Sequence, residues 1–293
     1  MPLKRTVVLT SALALTFGLA ACGGSGNSNS ASGGGGGSTN FGDCNVTSKA
    51  NSIKVKPVKA GTLTVDTTLP SQGWWNGTTP DSIKSGYEYC MAANLANAAG
   101  LSSVTVKNVS FAQLVAGQTN DFDIALAEIS ITPERAKVVD FSKPYFDSNI
   151  GVLVQSGSDV SQSNIKTKKL AAYSGTTSVD FLKNVMKVNP TIYPNNQTLY
   201  QSVISGQSDA AFLDTAIVLA EAKKSNGTLK VVGQYKTGEK YGAIYPKGSA
   251  NEDALNQGIA TMLKDGTLDQ LSKTYLGPAF GGDPNSVPTW TVQ

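Results

Sequence analysis

The 293-residue chain contains no histidine. That absence removes Ser-His-Asp and Cys-His catalysis, His-ligated zinc and imidazole acid–base chemistry from consideration. Only three cysteines occur, Cys22, Cys44 and Cys90, and no two are spaced Cys-x-x-Cys. A thiolate zinc site and a thioredoxin-type redox centre are therefore excluded as well. Charge is sparse: 24 Lys and Arg stand against 21 Asp and Glu, for a net charge of +3. Lys4 and Arg5 lie in the first five residues, and without them the balance is +1. A nucleic-acid partner would want a basic patch or stripe, and none is apparent. What is present is 40% hydrophobic residues, enough for a core in one large domain or two of ordinary size.

Residues 1–21 read as a secretory signal. Lys4 and Arg5 make the positive start, and Val7 to Ala21 is an apolar stretch too short for a comfortable membrane span. The stretch ends in Leu19-Ala20-Ala21-Cys22, which resembles the bacterial lipobox. That resemblance implies an acylated Cys22 as the first mature residue, held at a membrane by buried methylenes at ~0.8 kcal/mol each. Of the 18 residues from Gly23 to Asn40, 16 are Gly, Ser or Asn. Such a segment is a tether with an end-to-end distance of about 20–25 Å. The tether region as a whole is read as 22–59. Cys44 and Cys90 then remain as an even pair in an exported chain, which suggests a disulfide.

From about Ala60 short β-like runs alternate with helical stretches, the pattern of an α/β fold. Leu63-Thr64-Val65 is a strand candidate. Tyr87, Met91, Leu95 and Ala98 recur at helical spacing and stop at Gly100. A second α/β region follows, with Leu170-Ala171-Ala172-Tyr173 and Ala210-Ala211-Phe212-Leu213 as strands and Thr215–Lys224 as a helix. The end is helical around Leu255, Ile259 and Met262. Three polar clusters stand where a strand gives way to a turn or helix, the place where open α/β sheets bind ligands. They are Asp66-Thr67-Thr68, the run Ala127 to Tyr145, and Ser174 to Ser178 joined by Asp214.

The run Ile129 to Tyr145 resembles the signature of the family 3 extracellular solute-binding proteins, the amino-acid-binding subunits of ABC importers. Gly175-Thr176-Thr177, Asp209 to Asp214, Tyr241-Gly242-Ala243 and Lys264-Asp265-Gly266-Thr267 match further family segments in order and spacing. The resemblance implies a two-lobed, type II periplasmic-binding-protein-like fold. Lobe 1 would comprise 60–149 and 244–293, and lobe 2 residues 150–243. Hinge crossovers are expected near Ser148–Val152 and Tyr241–Tyr245, with ligand enclosed by hinge closure. It further implies a monomer without cofactor or catalytic step, working with an ABC permease and no nucleic acid.

A free amino acid carries a carboxylate and an ammonium on one carbon. The planar guanidinium of Arg135 matches the carboxylate. Ser130 can add a hydroxyl, and backbone N–H groups near Thr176, Thr177 and Ser178 sit at a helix start. Asp214 matches the family's ammonium ligand. Asp66 matches a position that often meets the ligand's side-chain end. Glu128 stands where relatives more often carry Gly, Ser or an amide. Either its side chain faces the ligand, or it points to solvent and its N–H does the binding. Two carboxylates at the cleft favour a basic or amide side chain. Leu69 replaces the usual stacking aromatic, so Trp74 or Trp75 is expected to supply one aromatic face, unless both are packing residues, and Phe111 the other. Competing readings are a cyclohexadienyl dehydratase on the same fold, with Glu128 and Arg135 as acid and anchor, and a surface sensor.

Overall fold

The computed structural model describes residues 39–292. The signal at 1–21, Cys22 and tether residues 23–38 lie outside the described residues, whereas 39–59, read as tether, packs on the fold with Phe41 and Ile53 buried. In chain order the first region comprises β1 (Thr62–Thr67), α1 (Tyr87–Ala98), β2 (Ser103–Asn108), α2 (Phe111–Val115), β3 (Ile124–Ala125) and β4 (Asp140–Phe141). The second begins with β5 (Phe146–Gln155) and β6 (Leu170–Tyr173), then α3 (Thr177–Asp180), β7 (Thr191–Tyr193), α4 (Asn196–Ile204), β8 (Ala210–Asp214), α5 (Thr215–Lys224) and β9 (Leu229–Tyr241). The chain then returns through β10 (Ile244–Tyr245) to α6 (Glu252–Lys264), α7 (Thr267–Leu271) and α8 (Gly277–Phe280).

These strands form two five-stranded sheets, β2-β1-β3-β10-β4 and β7-β6-β8-β5-β9. Each sheet has a parallel set of three strands at one side. β1 pairs parallel with β2 and β3, and β6 pairs parallel with β7 and β8. Parallel strands need covering on both faces, and β1 is buried along its whole length. One covering layer is α1 with α6. Leu255, Ile259 and Met262 fall four and three residues apart on α6, which brings them to one face. They join Leu63, Val65, Met91 and Leu95 in the first core. Val152, Phe212, Leu182 and Trp290 belong to a second core under the other sheet. A third cluster joins residues of both regions, Phe111 and Leu114 with Tyr173 and Leu213. The result is a two-lobed α/β fold of the kind the sequence implies.

The chain leaves the first sheet after Phe141 and enters the second at Phe146. The outgoing crossing is thus Ser142–Tyr145, ahead of the Ser148–Val152 anticipated, which already lie inside β5. It runs beside the return crossing: Ser142 N–H donates to Ala243 O at 2.9 Å and Tyr145 N–H to Tyr241 O at 2.9 Å. The C-terminal tail departs from the expected division in which 244–293 belongs to lobe 1. Gln234 N–H donates to Pro288 O at 2.9 Å, and Trp290 N–H donates to Gln234 O at 2.7 Å. Trp290 therefore packs on the second sheet, against Tyr235. Gly233 makes room for it, since a Cβ there would lie 2.2 Å from the indole. Among the described residues no helix is long and apolar enough to cross a membrane.

Cys44 and Cys90 are bonded, with Cα atoms 5.3 Å apart and a separation of 46 positions in sequence. The bridge ties the start of the described chain to α1. Closing a loop of that size removes denatured-state entropy worth ~4 kcal/mol at 25 °C. The variant Cys44→Ser/Cys90→Ser is expected to lose ~2–5 kcal/mol in denaturant melts. An unchanged midpoint at unchanged slope would show that the bridge contributes nothing.

Candidate functional site

Four strands of the two sheets end at one small cavity. Thr68 follows β1, Ala127 and Glu128 follow β3, Tyr173 closes β6, and Leu213 and Asp214 close β8. Phe111, Ser130, Arg135, Thr176, Thr177, Asn196 and Ile217 complete the lining. Its free space is about 20 Å³, room for a single water molecule. Anything as large as an amino acid enters only if the lobes part.

Arg135 begins a short turn whose start is fixed by Thr132, as the Arg135 N–H donates to Thr132 Oγ1 at 3.2 Å. The guanidinium is 8% exposed. It donates through Nη1 to Ser130 O at 2.6 Å and through Nη2 to Gly175 O at 2.9 Å. Its Cζ lies 5.4 Å from the centroid of the Phe111 ring, within cation–π range. Among the described residues no carboxylate forms an ion pair with it. Burial accordingly lowers its pKa, against the opposing fields of Asp214, Glu239 and Asp180. Gly175 has φ +81°, and a Cβ on it would meet Ala112 Cα of the other lobe at 2.9 Å. Only glycine allows this carbonyl to approach the guanidinium so closely.

Asp214 ends β8 and precedes α5. Its Oδ2 accepts from Tyr241 Oη at 2.7 Å and Ser148 Oγ at 3.0 Å. Its pKa is pushed up to about 7, first by burial and then by Glu239, with Tyr241, Ser148 and Arg135 opposing. Glu239 lies on β9, and its Oε2 accepts from Ser130 Oγ at 2.6 Å and Thr177 Oγ1 at 2.8 Å. One carboxylate thereby joins hydroxyls from both lobes. Thr176 turns its hydroxyl back to Tyr173 O at 2.7 Å.

Glu128 has φ +50°, a conformation that favours glycine. It also places the Glu128 N–H on Glu88 Oε1 at 3.0 Å. Glu128 Oε2 accepts from Ser71 Oγ at 2.9 Å, while Oε1 is buried without a partner. Glu88 is fully buried and also accepts from Trp75 Nε1 at 2.8 Å and from Tyr145 Oη. Burial, then the charge of Glu88, hold the Glu128 carboxyl well above the usual range. Burial raises Glu88 as well, but Tyr145, the Glu128 N–H and Trp75 oppose it, so the pair's charge is favoured on Glu88.

The cavity thus lies between two lobes, with a guanidinium on one and a carboxyl on the other. Residues 75–278 match the model of the bacterial extracellular solute-binding proteins, family 3. The chain belongs to this family. It is 33% identical over 204 residues to the L-cystine-binding protein of Escherichia coli, covering 67% of this chain and 76% of that one. It is 27% identical to the arginine-binding protein 1 of the same organism, over 58% of this chain and 73% of that one. A solved ancestral arginine-binding protein bound to arginine superposes with a TM-score of 0.66 at 31% identity, covering 73% of this chain and 98% of its own. A solved ancestral amino-acid-binding protein, a precursor of cyclohexadienyl dehydratase, gives 0.64 at 29% identity, covering 74% and 95%.

In this solute-binding protein the structure gathers Phe111, Glu128, Ser130, Arg135, Thr176, Thr177 and Asp214 at one cavity. Four other candidates lie elsewhere. Asp66 does not line the cavity; it is buried beside Lys107 of β2, its register partner. Neither of its oxygens has a hydrogen bond, and burial pushes its pKa up to about 6. Thr68, two residues on, is the one that reaches the cavity. Trp74 does not line this cavity; it is fully buried, with its ring packed among Tyr87, Phe146, Tyr241 and Phe280. Trp75 binds Glu88, and the aromatic partner of Phe111 is Tyr173, with centroids 5.6 Å apart. Ser178 is buried outside the lining. Tyr173 and Asn196 were within reach of sequence reasoning, since one ends a strand and the other starts a helix. Glu88 and Glu239 carry no local signal.

The raised pKa of Asp214 fixes a pH dependence. Between the ordinary carboxylate range and about 7, the folded protein holds a proton that the unfolded chain has released. This group's contribution to stability therefore falls as pH rises through that window. An ammonium ligand needs the ionised form, so affinity is expected to fall by up to about tenfold per pH unit below about 7. Calorimetry from pH 5 to 8 checks this. A flat profile, or an unaltered one in Asp214→Asn, would deny Asp214 the role.

Proposed function

We propose that this protein captures a free polar amino acid between its lobes and delivers it to an ABC permease from the outer face of a membrane. The observation that carries the reading is the pairing of Arg135 and Asp214. They are buried charges of opposite sign, from different lobes, on one cavity. The α-carboxylate goes to the Arg135 guanidinium with Thr177, and the α-ammonium to Asp214. Ligand bridges the lobes and so stabilises the closed form through its differential contacts. Asp214, Glu239 and Asp180 all act on one guanidinium, so acidic groups outnumber the cation even with Glu128 held toward its neutral form. That excess favours a ligand with a second positive charge, or an amide that donates. The relatives named for binding cystine and arginine agree with a polar side chain. Cys22 is proposed as the lipid attachment site. The working form is proposed to be a monomer.

The dehydratase reading rests on one observation, a carboxyl at Glu128 that keeps its proton beside a carboxylate-binding guanidinium. It predicts turnover of prephenate or arogenate, and the transport reading predicts none.

The test of the transport reading is a thermal-shift panel of the common amino acids. Ligand at 100 times its Kd is expected to add about 2.7 kcal/mol of stability. Arg135→Ala is expected to abolish the shift while the ligand-free fold persists. Full binding by that variant would refute the carboxylate contact.

A further inference from the structure

A second, larger cavity of about 420 Å³ adjoins the first. Its walls come from both lobes, the 70–78 segment on one side and α4 with α5 on the other. The two cavities share Asn196 and Ile217. Ser71, in the wall of the larger, gives its hydroxyl proton to Glu128 in the wall of the smaller. Neither Arg135 nor Asp214 lines the larger chamber, so its chemistry is separate from that of the α-amino-acid head.

That chemistry is two-signed. Trp74 is fully buried, yet its indole N–H has no hydrogen-bond partner. A buried donor left in this state is costly. Asn196, at the junction, has a buried carbonyl oxygen that is likewise unpartnered. Glu221 and Lys224 stand in the wall on α5, with Oε2 and Nζ 3.6 Å apart. A donor lacking an acceptor, an acceptor lacking a donor, one carboxylate and one ammonium together complement a group that carries both charges. A ligand held at Arg135 and Asp214 would extend past Asn196 into this space.

We propose that the chamber is a distal subsite for a double-headed amino acid, two α-amino-carboxylate groups joined through their side chains. The proposal rests on Arg135 and Asp214 as the seat of the first head. The second ammonium would face Glu221 and the Asn196 carbonyl, and the second carboxylate Lys224. Its ammonium also supplies the extra positive charge that the acidic surroundings of the first site favour.

The test compares S-methylcysteine, which has one head, with cystathionine and cystine, which have two, by calorimetry. Wild type and the variant Glu221→Gln/Lys224→Gln are titrated. Both substitutions lie on the outer part of α5, where the Lys224 side chain is 54% exposed. Wild type is expected to bind the double-headed ligands at least about tenfold more tightly than S-methylcysteine. The variant is expected to lose most of that margin while its affinity for S-methylcysteine is unchanged. Equal wild-type affinities, a margin that survives the double substitution, or equal weakening of all three ligands would each overturn the distal subsite. If S-methylcysteine binds in those cases, the first site stands. If no ligand binds, that reading falls as well.

Discussion

Two buried charges that the protein itself leaves unpaired govern this molecule. Arg135 spends its donors on the carbonyls of Ser130 and Gly175 and meets no carboxylate at ion-pair distance among the described residues. Asp214 has two hydroxyl donors and no cation in contact. Taking such groups out of water is costly, and neutral hydrogen bonds restore only part of what is lost. The cost shows in both titrations, each displaced toward the uncharged form by burial. A zwitterion offers the two missing counter-charges on one carbon. The fold holds them on different lobes, Arg135 on the short turn between β3 and β4 and Asp214 at the end of β8.

The rest of the site sets which zwitterion fits. Glu128 and Glu88 share a proton beneath the cavity, which keeps a second buried anion from forming there. The arrangement depends on a non-glycine residue at φ +50°, a conformation that costs of order 1 kcal/mol or more. Such strain persists where the surroundings over-determine it. Here the Glu128 N–H is fixed on Glu88 and its carboxyl on Ser71.

Most of the fold was legible because the relevant signals are local. Strand runs, the helix ending at Gly100 and the turn at Gly175 all announce themselves within a few residues. The gathering of Ser130, Arg135, Thr177 and Asp214 at one cavity was legible for the same reason, since strand ends and the Ile129–Tyr145 run lie close in sequence to the residues they position. What failed depended on distant packing. Asp66 and Thr68 differ by two residues, and only the register with β2 decides which of them faces Lys107 and which the cavity. Trp74 needed knowledge of Phe146, Tyr241 and Phe280, contributed by later segments. The tail's preference for the second sheet was settled by the space above Gly233, which no pattern near Trp290 reveals. Glu88 is an acidic residue in an apolar helix, and its value as an acceptor emerges only when Trp75, Tyr145 and the Glu128 backbone converge on it.

Glu239 connects the site to the hinge. It lies two residues before Tyr241, whose carbonyl pairs with the outgoing crossing and whose hydroxyl holds Asp214. Its carboxylate occupies the hydroxyls of Ser130 and Thr177, one from each lobe. On the proposed reading, a ligand carboxylate seated on Arg135 must take Thr177 from it. Binding is then an exchange of one carboxylate for another, and affinity reports the difference between the two. The incoming group gains because it brings an ammonium for Asp214 on the same carbon, which Glu239 cannot. A carboxylic acid without that ammonium would release Glu239 yet leave Asp214 unpaired. The exchange therefore discriminates by the second charge, not the first.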